Sequence, residues 1–359
     1  MRNIFKTSYV QDIRLFEHGG HVFWYALLLL GVFGAPLALP QFYIGEISLV
    51  FIYAIAGIGL MLLTGYTGLV SLGHAAFLGI GAYAHNYFVT KLGIPFPVAM
   101  AMAGFVAAGF GIAFALPALR MTGIYLAIAT LAFAVIMEQV FSHWASVTGG
   151  FRGLPVARPN LFGWPLATET HFYYLCLVVL VFITLGARNI LRSATGRAMM
   201  AIRDSEISAQ SMGIHIARTK VTSFGLSTGI TGVAGALLAH KLQFISPEAF
   251  DIILSIQLLL MIVVGGLGSL QGCFYGAIVV AFLPQFLALV KDVLPPSIGQ
   301  IPGLQGGVFG LVLVLFILLE PYGIYGRWRK VRLFFEIFPL YRRATFKRQR
   351  GYLKTERMR

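Results

Sequence analysis

Ten apolar runs of 15 to 21 residues recur along this chain, at 22–39, 47–63, 69–89, 96–116, 124–141, 171–187, 221–240, 253–267, 273–290 and 306–320. A helix needs roughly 17–25 such residues to cross the hydrocarbon of a bilayer, and any backbone that crosses must satisfy its own polar groups. The repetition therefore predicts an all-α, polytopic membrane helix bundle with ten transmembrane helices. Composition agrees, since 58% hydrophobic and 11% charged residues leave too little polar material to cover a water-facing globule. The third and fourth runs are rich in Gly and Ala, and only 265–272 separates the eighth from the ninth. Half-spans or re-entrant segments are expected there. The run beginning at Val22 reads as an uncleaved first span, because its polar lead is long and no small-x-small cleavage site follows.

Charge placement orients the bundle. The chain carries 27 Lys and Arg for a formal net charge of +14, and twelve of them lie in 327–359, directly after the last apolar run. That position suits a tail on an anionic membrane face and argues against nucleic acid as a partner. With ten spans both termini share one side. If that side is cytoplasmic, the basic residues inside are Arg2, Lys6, Arg14, Arg120, six from Arg188 to Lys220, and the twelve of the tail. Only Lys91, Arg152, Arg158, Lys241 and Lys291 remain outside. The expected organisation is a cytoplasmic N-terminal segment (1–21), a transmembrane domain (22–326) with a cytoplasmic loop at 188–220, and a basic cytoplasmic tail (327–359). Phe42, Tyr43, Trp144, Phe172, Tyr173 and Tyr174 mark the outer boundary as an aromatic belt. The Gly- and Pro-rich outer loop 142–170 reads as an irregular surface. Cys176 and Cys273, both in apolar runs, read as packed thiols.

No Gly-x-x-x-x-Gly-Lys-Ser/Thr phosphate loop occurs, so any use of ATP belongs to another subunit and this chain is not expected to be an enzyme. Apart from residues at the very ends of their runs, such as His171 and His240, the ionisable residues within the runs reduce to His74, His85 and Glu138. The last two lie near outer ends and are expected to reach the interface. His74 stands in GYTGLVSLGHAAFLGIGAY at an inner entry, where an intramembrane ionisable group faces protein or water rather than lipid. Two readings stay open for it: an interhelical hydrogen bond that holds packing, or a place on a translocation pathway. Gly65, Gly68, Gly73, Gly79 and Gly81 likewise suit close helix approach or a broken helix lining a cavity. Ser71, Gly73, His74 and, in the fifth run, Thr130 are the candidate pathway residues. Ser71-Leu72 before Phe77-x-Gly79 is echoed by Ser269-Leu270 before Phe274-x-Gly276, as duplicated transporter halves would produce.

The segment GRAMMAIRDSEISAQSMGIHIARTK, 196–220, is the one long polar interval between spans. Gly196 is expected to break the incoming helix, Arg197 to Arg203 to be helical, and Asp204 or Ser205 to N-cap a second helix that Gly213 ends at C′. That second helix would be about two turns long, with Ile207 and Met212 as apolar contacts and small residues between them. Two turns are not stable alone in water, so the helix needs a partner surface. One alternative is that it rests on the inner leaflet. The other is that it docks in a groove of a soluble protein, which suits its small side chains and its central Asp204 and Glu206 better.

This segment resembles the coupling loop of ABC-importer permeases, in which an acidic residue, a small residue and a glycine dock into the ATPase; Glu206, Ala209 and Gly213 match, flanked by Asp204 and Met212. More specifically, GYTGLVSLGHAAFLGIGAY, GIYLAIATLAFA, VTGGFRGL, GRAMMAIRDSEISAQSMGI, QFISPEAFDIILSIQLLLMIVVGGLGSLQG and GVFGLVLVLFILLEPYG together are similar to the LivM-type permeases of branched-chain amino acid importers. The resemblance covers about residues 60–323 and departs at both ends. It implies a bacterial inner-membrane importer containing a LivH-like second permease, two LivG/LivF-like ATPase subunits and a periplasmic amino acid binding protein, with no cofactor on this chain. The alternatives are the same architecture serving another small solute, such as urea, a short amide or a different amino acid, or an ATP-independent channel. The charge distribution makes an expectation of its own: a cysteine placed at Ser205 should react with a membrane-impermeant thiol reagent only from the cytoplasmic side, and one at Arg158 only from outside. Labelling of the Ser205 site from outside would overturn the orientation.

Overall fold

The computed structural model describes residues 19–161, 164–165, 168–293 and 323–337, together with isolated positions between 307 and 318. Nine of the ten apolar runs fall on helices; the tenth, 306–320, lies largely outside the described residues, as do 1–18 and the tail after 337. Besides a single helical turn at Ala145–Thr148, the helices are α1 (Gly19–Ala38), α2 (Gln41–Leu60), α3 (His74–Leu92), α4 (Phe96–Ala118), α5 (Ile124–His143) and α6 (Glu169–Arg192). They continue with α7 (Ala194–Asp204), α8 (Glu206–Ser211), α9 (Ile216–Leu242), α10 (Ile252–Gly265), α11 (Leu270–Val293) and α12 (Gly323–Ile337). Among the described residues, six helices are long and apolar enough to cross a membrane. These are α2 with its π-helical end, α4, α5, α6, α9, and α10 with the 3₁₀ turn Pro247–Phe250 before it. The molecule is an all-α, polytopic membrane bundle.

Boundaries follow from a few residues. Pro40, at φ −58° and ψ 154°, ends the preceding turn and starts α2 at Gln41, six residues before the apolar run at 47. Glu46 is thereby drawn into a helix where the run alone left it out, and its carboxylate accepts the Gln285 side-chain N–H at 2.6 Å. Gly93 ends α3 in the left-handed region, where a side chain would be strained, and Pro95 caps α4. Pro36 lies inside α1, where it has no N–H to offer the Val32 carbonyl one turn back. The Tyr173 hydroxyl donates to that carbonyl instead, at 2.7 Å, and Tyr174 donates to Phe33 O at 2.9 Å. Tyr173 is therefore buried against α1 rather than standing in the aromatic belt expected from its place in sequence.

At the centre, α9 packs on α4, α3 and α2. Several of its contacts bring backbone directly against backbone. A Cβ on Gly235 would strike the Leu78 carbonyl of α3, one on Gly81 would strike the Gly232 carbonyl of α9, and Gly111 of α4 abuts Thr228. The pair α10–α11 repeats the device, with Gly265 against the Gly272 carbonyl and Gly276 against the Met261 carbonyl. Glycines let helix axes approach this closely where lipid gives no hydrophobic drive to pack. By contrast α5 buries one narrow stripe, Leu126, Thr130, Ala134, Met137 and Phe141, with Ser142 at its end, and leaves much of its surface outward.

The loop between α5 and α6 is tied down by short strands: β1 (Leu154–Pro155) pairs antiparallel with β4 (Phe244–Ile245) after α9, and β2 (Asn160–Leu161) with β3 (Trp164–Pro165). His85 was expected at the interface but is fully buried, because Phe96 at the head of α4 covers it and His240 of α9 faces it. The Ala157 carbonyl can only accept, so His240 Nδ1–H donates to it at 2.8 Å, and His85 Nε2–H donates to the bare His240 Nε2 at 2.8 Å. The histidine pair thus clasps the loop to α3 and α9.

Close approach makes a paired expectation. Gly235→Ala should lower the thermal stability of the purified protein in detergent by about 1–3 kcal/mol, the range for forcing a methyl group into a filled contact. Gly186→Ala, at a helical glycine with open space around it, should be neutral or stabilising by up to about 1 kcal/mol. Equal melting shifts for the two would show that α9 and α3 do not touch there.

Candidate functional site: a buried histidine node and the adjoining loop

Two features stand out, the break after α2 and the loop that carries α7 and α8. The last turn of α2, Met61–Tyr66, is π-helical, and α3 starts only at His74. The first residues of the third apolar run, 69–73, are thus not helical. The break is held by buried bonds: Thr67 Oγ1 donates to Leu62 O at 2.8 Å, Thr64 Oγ1 to Leu69 O at 3.1 Å, and Leu69 N–H to Leu63 O at 3.1 Å. A widened π turn of this kind is uncommon and recurs at functional positions.

His74 sits at the head of α3 with no exposed surface. Its partners fix its tautomer. Ser227 Oγ of α9 donates to the Gly59 carbonyl of α2 at 2.7 Å, so it must accept from His74 Nε2–H at 2.8 Å. The other ring nitrogen, Nδ1, is then bare and accepts the Ser71 hydroxyl at 2.9 Å. Thr130 of α5 accepts Leu72 N–H at 2.9 Å while donating to Ala127 O at 2.8 Å, and Gly73 lies against the Thr130 carbonyl with no room for a Cβ. Ser255 of α10 accepts the Ala75 N–H at 3.1 Å, satisfying one of the donors that a helix start leaves open. Ser71, Gly73, His74 and Thr130 are therefore brought together, but in a closed node that joins α2, α3, α5, α9 and α10. The hydrogen-bonded, interhelical geometry of His74 is that of its packing reading, and the node presents no open surface on this chain.

Ser227 and Ser255 escaped the sequence reading. A signal existed for the first. Thr219, Ser223, Ser227 and Thr231 recur every fourth residue in α9, which puts one buried hydroxyl per turn on a single face. Nothing comparable marks Ser255 in its apolar surroundings.

The second feature is the loop carrying α7 and α8. Ser193, extended at ψ 173°, ends α6 and starts α7, so the break precedes Gly196. Gly196 has a different role. It lies within α7 and lets that helix fold back on the end of α6, where a Cβ would meet the Leu191 backbone. Met199 and Ile202 bury the inner face of α7. Ser205, rather than Asp204, caps α8 by accepting Ser208 N–H at 3.3 Å. Asp204 instead accepts from Arg203 Nη2 and Nε at 3.0 and 3.1 Å. Arg203 Nη1 in turn donates to the Gly65 carbonyl in the π turn at 3.1 Å.

Gly213, at φ 81°, ends α8 through Ile214 N–H to Ala209 O at 3.1 Å and Gly213 N–H to Gln210 O at 3.0 Å, the paired closure of a Schellman end. Ala209 is buried against the bundle. Glu206 is engaged within the chain: it accepts the Lys220 ammonium of α9 at 2.7 Å, with the lysine side chain only 4% exposed. Ile207 and Met212 project outward, 84% and 82% exposed.

Fold and site together define a multi-pass helical permease with a structured loop between its spans. Residues 43–317 match the family model described as "Branched-chain amino acid transport system / permease component", and the chain belongs to that family. It is 31% identical over 327 residues to the high-affinity branched-chain amino acid transport permease LivM of Escherichia coli, covering 84% of this chain and 74% of that protein. LivM of Salmonella typhimurium matches at the same identity and coverage. The LivH permease of Escherichia coli matches at 25% over 293 residues, 77% of this chain and 91% of that protein. No solved structure matches the chain.

The node's role in packing can be measured. Ser227→Ala removes a hydroxyl that serves both Gly59 O and His74 Nε2–H, and leaving each unpaired costs about 1–3 kcal/mol. The variant should melt well below the unmodified protein. Thr228→Val, whose hydroxyl bonds only to carbonyls of its own helix, should shift the melting point much less. Similar shifts for both would remove the node as a stabilising centre.

Proposed function

We propose that this chain is the permease subunit of an ATP-driven importer of branched-chain amino acids, crossing the bacterial inner membrane ten times with both termini in the cytoplasm. In this reading it forms the translocation pathway with a LivH-like second permease, receives substrate from a periplasmic binding protein, and couples to two separate ATPase subunits. The substrate class rests on family membership and on the names of the LivM and LivH relatives. That relatives of both kinds match one chain supports a pair of similar permeases.

Coupling is assigned to α8, and one observation carries it. Ile207 and Met212 stand bare on a short helix whose ends are fixed and whose inner side is occupied by Ala209 and Glu206. A helix held this rigidly keeps its apolar groups outward only for a partner of the whole protein. A groove on an ATPase fits better than lipid, because only two apolar side chains protrude and Asp204 accompanies them. Asp204, Glu206, Ala209, Met212 and Gly213 then divide the work. Met212, with Ile207, makes contact; Ala209 lets α8 lie close to the bundle; Gly213 closes the helix; and the two acids fasten the loop through Arg203 and Lys220. The transmembrane body is 22–326, with 188–220 as its coupling loop and 327–359 as a basic cytoplasmic tail.

The test is co-purification of the ATPases with the permease pair, alongside uptake of leucine into proteoliposomes. Gly213 has open space around it, so Gly213→Val acts only through its left-handed backbone, which a β-branched residue resists. Gly213→Val and Met212→Asp should each reduce ATPase retention and uptake at least about tenfold, a change of roughly 1.4 kcal/mol in docking, while leaving the permease pair assembled. Undiminished uptake by both variants would return α8 to a helix that rests on lipid.

A further inference from the structure

The contacts of Arg203 extend beyond docking. Two glycine turns meet beside it. One is the end of α2, where Gly65 and Gly68 lead into the broken connection to α3; the other is Gly266 to Gly268, joining α10 to α11. They touch each other: a Cβ on Gly65 would lie 2.9 Å from the Gly268 nitrogen, and Gly268 N–H donates to Met61 Sδ at 3.2 Å. Arg203 stands against both. A Cβ on Gly68, at φ 77°, would sit 3.1 Å from Arg203 Cγ, and one on Gly268, at φ 79°, 3.3 Å from Arg203 Nη1. These are the two segments whose sequences echo each other, each a glycine turn with a serine (Ser71, Ser269) leading into a helix.

The side chain is held for this position. Asp204 accepts two of its N–H groups on one carboxylate oxygen, which sets the plane of the guanidinium and aims Nη1 at the Gly65 carbonyl. Gly65 lies within the π turn, and the chain from that turn runs directly to Ser71 and His74. Trading the widened ring of a π turn for an α turn would shift the register by one residue, a discrete change of the kind that switching elements use. A bond to one of its carbonyls is a lever on that exchange. The tie from Glu206 to Lys220 reaches α9.

We propose that Arg203 is the positioning residue that transmits movement of the coupling loop into the membrane domain, by pulling on the Gly65 carbonyl of the π turn and so on the connection that ends at the His74 node. It does not touch substrate or nucleotide, and it is distinct from the docking contacts of Ile207 and Met212. The inference rests on the proposed ATPase docking at α8.

The experiment uses the complete transporter in proteoliposomes and records three quantities for each variant: ATPase subunits retained, ATP hydrolysed, and leucine taken up per ATP. Arg203→Ala should retain the ATPases and hydrolyse ATP, yet deliver at least about fivefold less leucine per ATP. Arg203→Lys keeps a donor for Gly65 but loses the planar fork that Asp204 orients, and should fall between. Asp204→Asn, which weakens that orientation without removing the arginine, should lower the same ratio more mildly.

An unchanged ratio in Arg203→Ala overturns the proposal. So does a parallel fall of retention, hydrolysis and uptake in Arg203→Ala and Arg203→Lys, because that is the signature of a residue that only holds the fold. If Arg203→Ala does not assemble, the ratio in Arg203→Lys and Asp204→Asn decides: lowered supports the lever, unchanged overturns it. Failure of the unmodified permease pair to retain ATPases would defeat the docking assignment itself, and that result is separate from any effect of Arg203.

Discussion

Everything in this bundle depends on how closely α9 can approach its neighbours. In lipid, apolar side chains gain nothing by leaving one hydrocarbon surface for another, so helices associate through close van der Waals contact and through hydrogen bonds. Gly232 and Gly235 of α9, with Gly81 of α3 and Gly111 of α4, remove the side chains that would keep backbones apart. The hydroxyl stripe on the same helix then adds direction: Ser227 and Ser223 bond across to His74 and to Thr67, while Thr219 and Thr231 bond back to their own helix. Contact alone would leave α9 free to slide along its partners. The Ser227–His74–Ser71 chain, with Ser227 also bound to Gly59, sets one register for α2, α3 and α9 together.

The same bonds make a broken span tolerable. Backbone polar groups at membrane depth must be paired inside the protein, and the connection between α2 and α3 meets that demand through Thr64, Thr67, Ser71 and Thr130. Glycine supplies the sharp turn at Gly68, where φ is positive. A segment so satisfied need not be helical, and it costs little to hold as a break. In α1, Pro36 removes one rung of the hydrogen-bond ladder and Tyr173 makes good the carbonyl it leaves. Each break has its own named partner from another helix.

Much of this was legible in sequence, and the limits have physical causes. Apolar runs located nine helices because membrane depth leaves so little choice of backbone. They misplaced starts, at Gln41 and His74, because hydropathy does not register where a proline caps or where a glycine turn interrupts. The α8 helix and its glycine end were readable from local capping rules, since Ser205 and Gly213 act on neighbours a few residues away. Long-range partners were not: Lys220 for Glu206, Gly65 for Arg203 and His240 for His85 lie 14, 138 and 155 residues apart. Gly196 misled because glycine signals both a break and a close approach, and only the neighbouring Leu191 backbone distinguishes them.

The two sites are joined by the residue that local reasoning passed over. Met199 and Ile202 bury the inner face of α7, but such apolar contacts cannot make a directed link to the π turn. A guanidinium can, because its alkyl stem packs against glycine turns while its head makes directed bonds in three directions. With Asp204 fixing one edge and the Gly65 carbonyl receiving another, Arg203 ties the end of α7, immediately before α8, to a backbone group of the π turn. Lysine has a single charged nitrogen and could not serve both partners in fixed geometry. That difference between a point charge and a planar fork is what makes this loop mechanically continuous with the helices it joins.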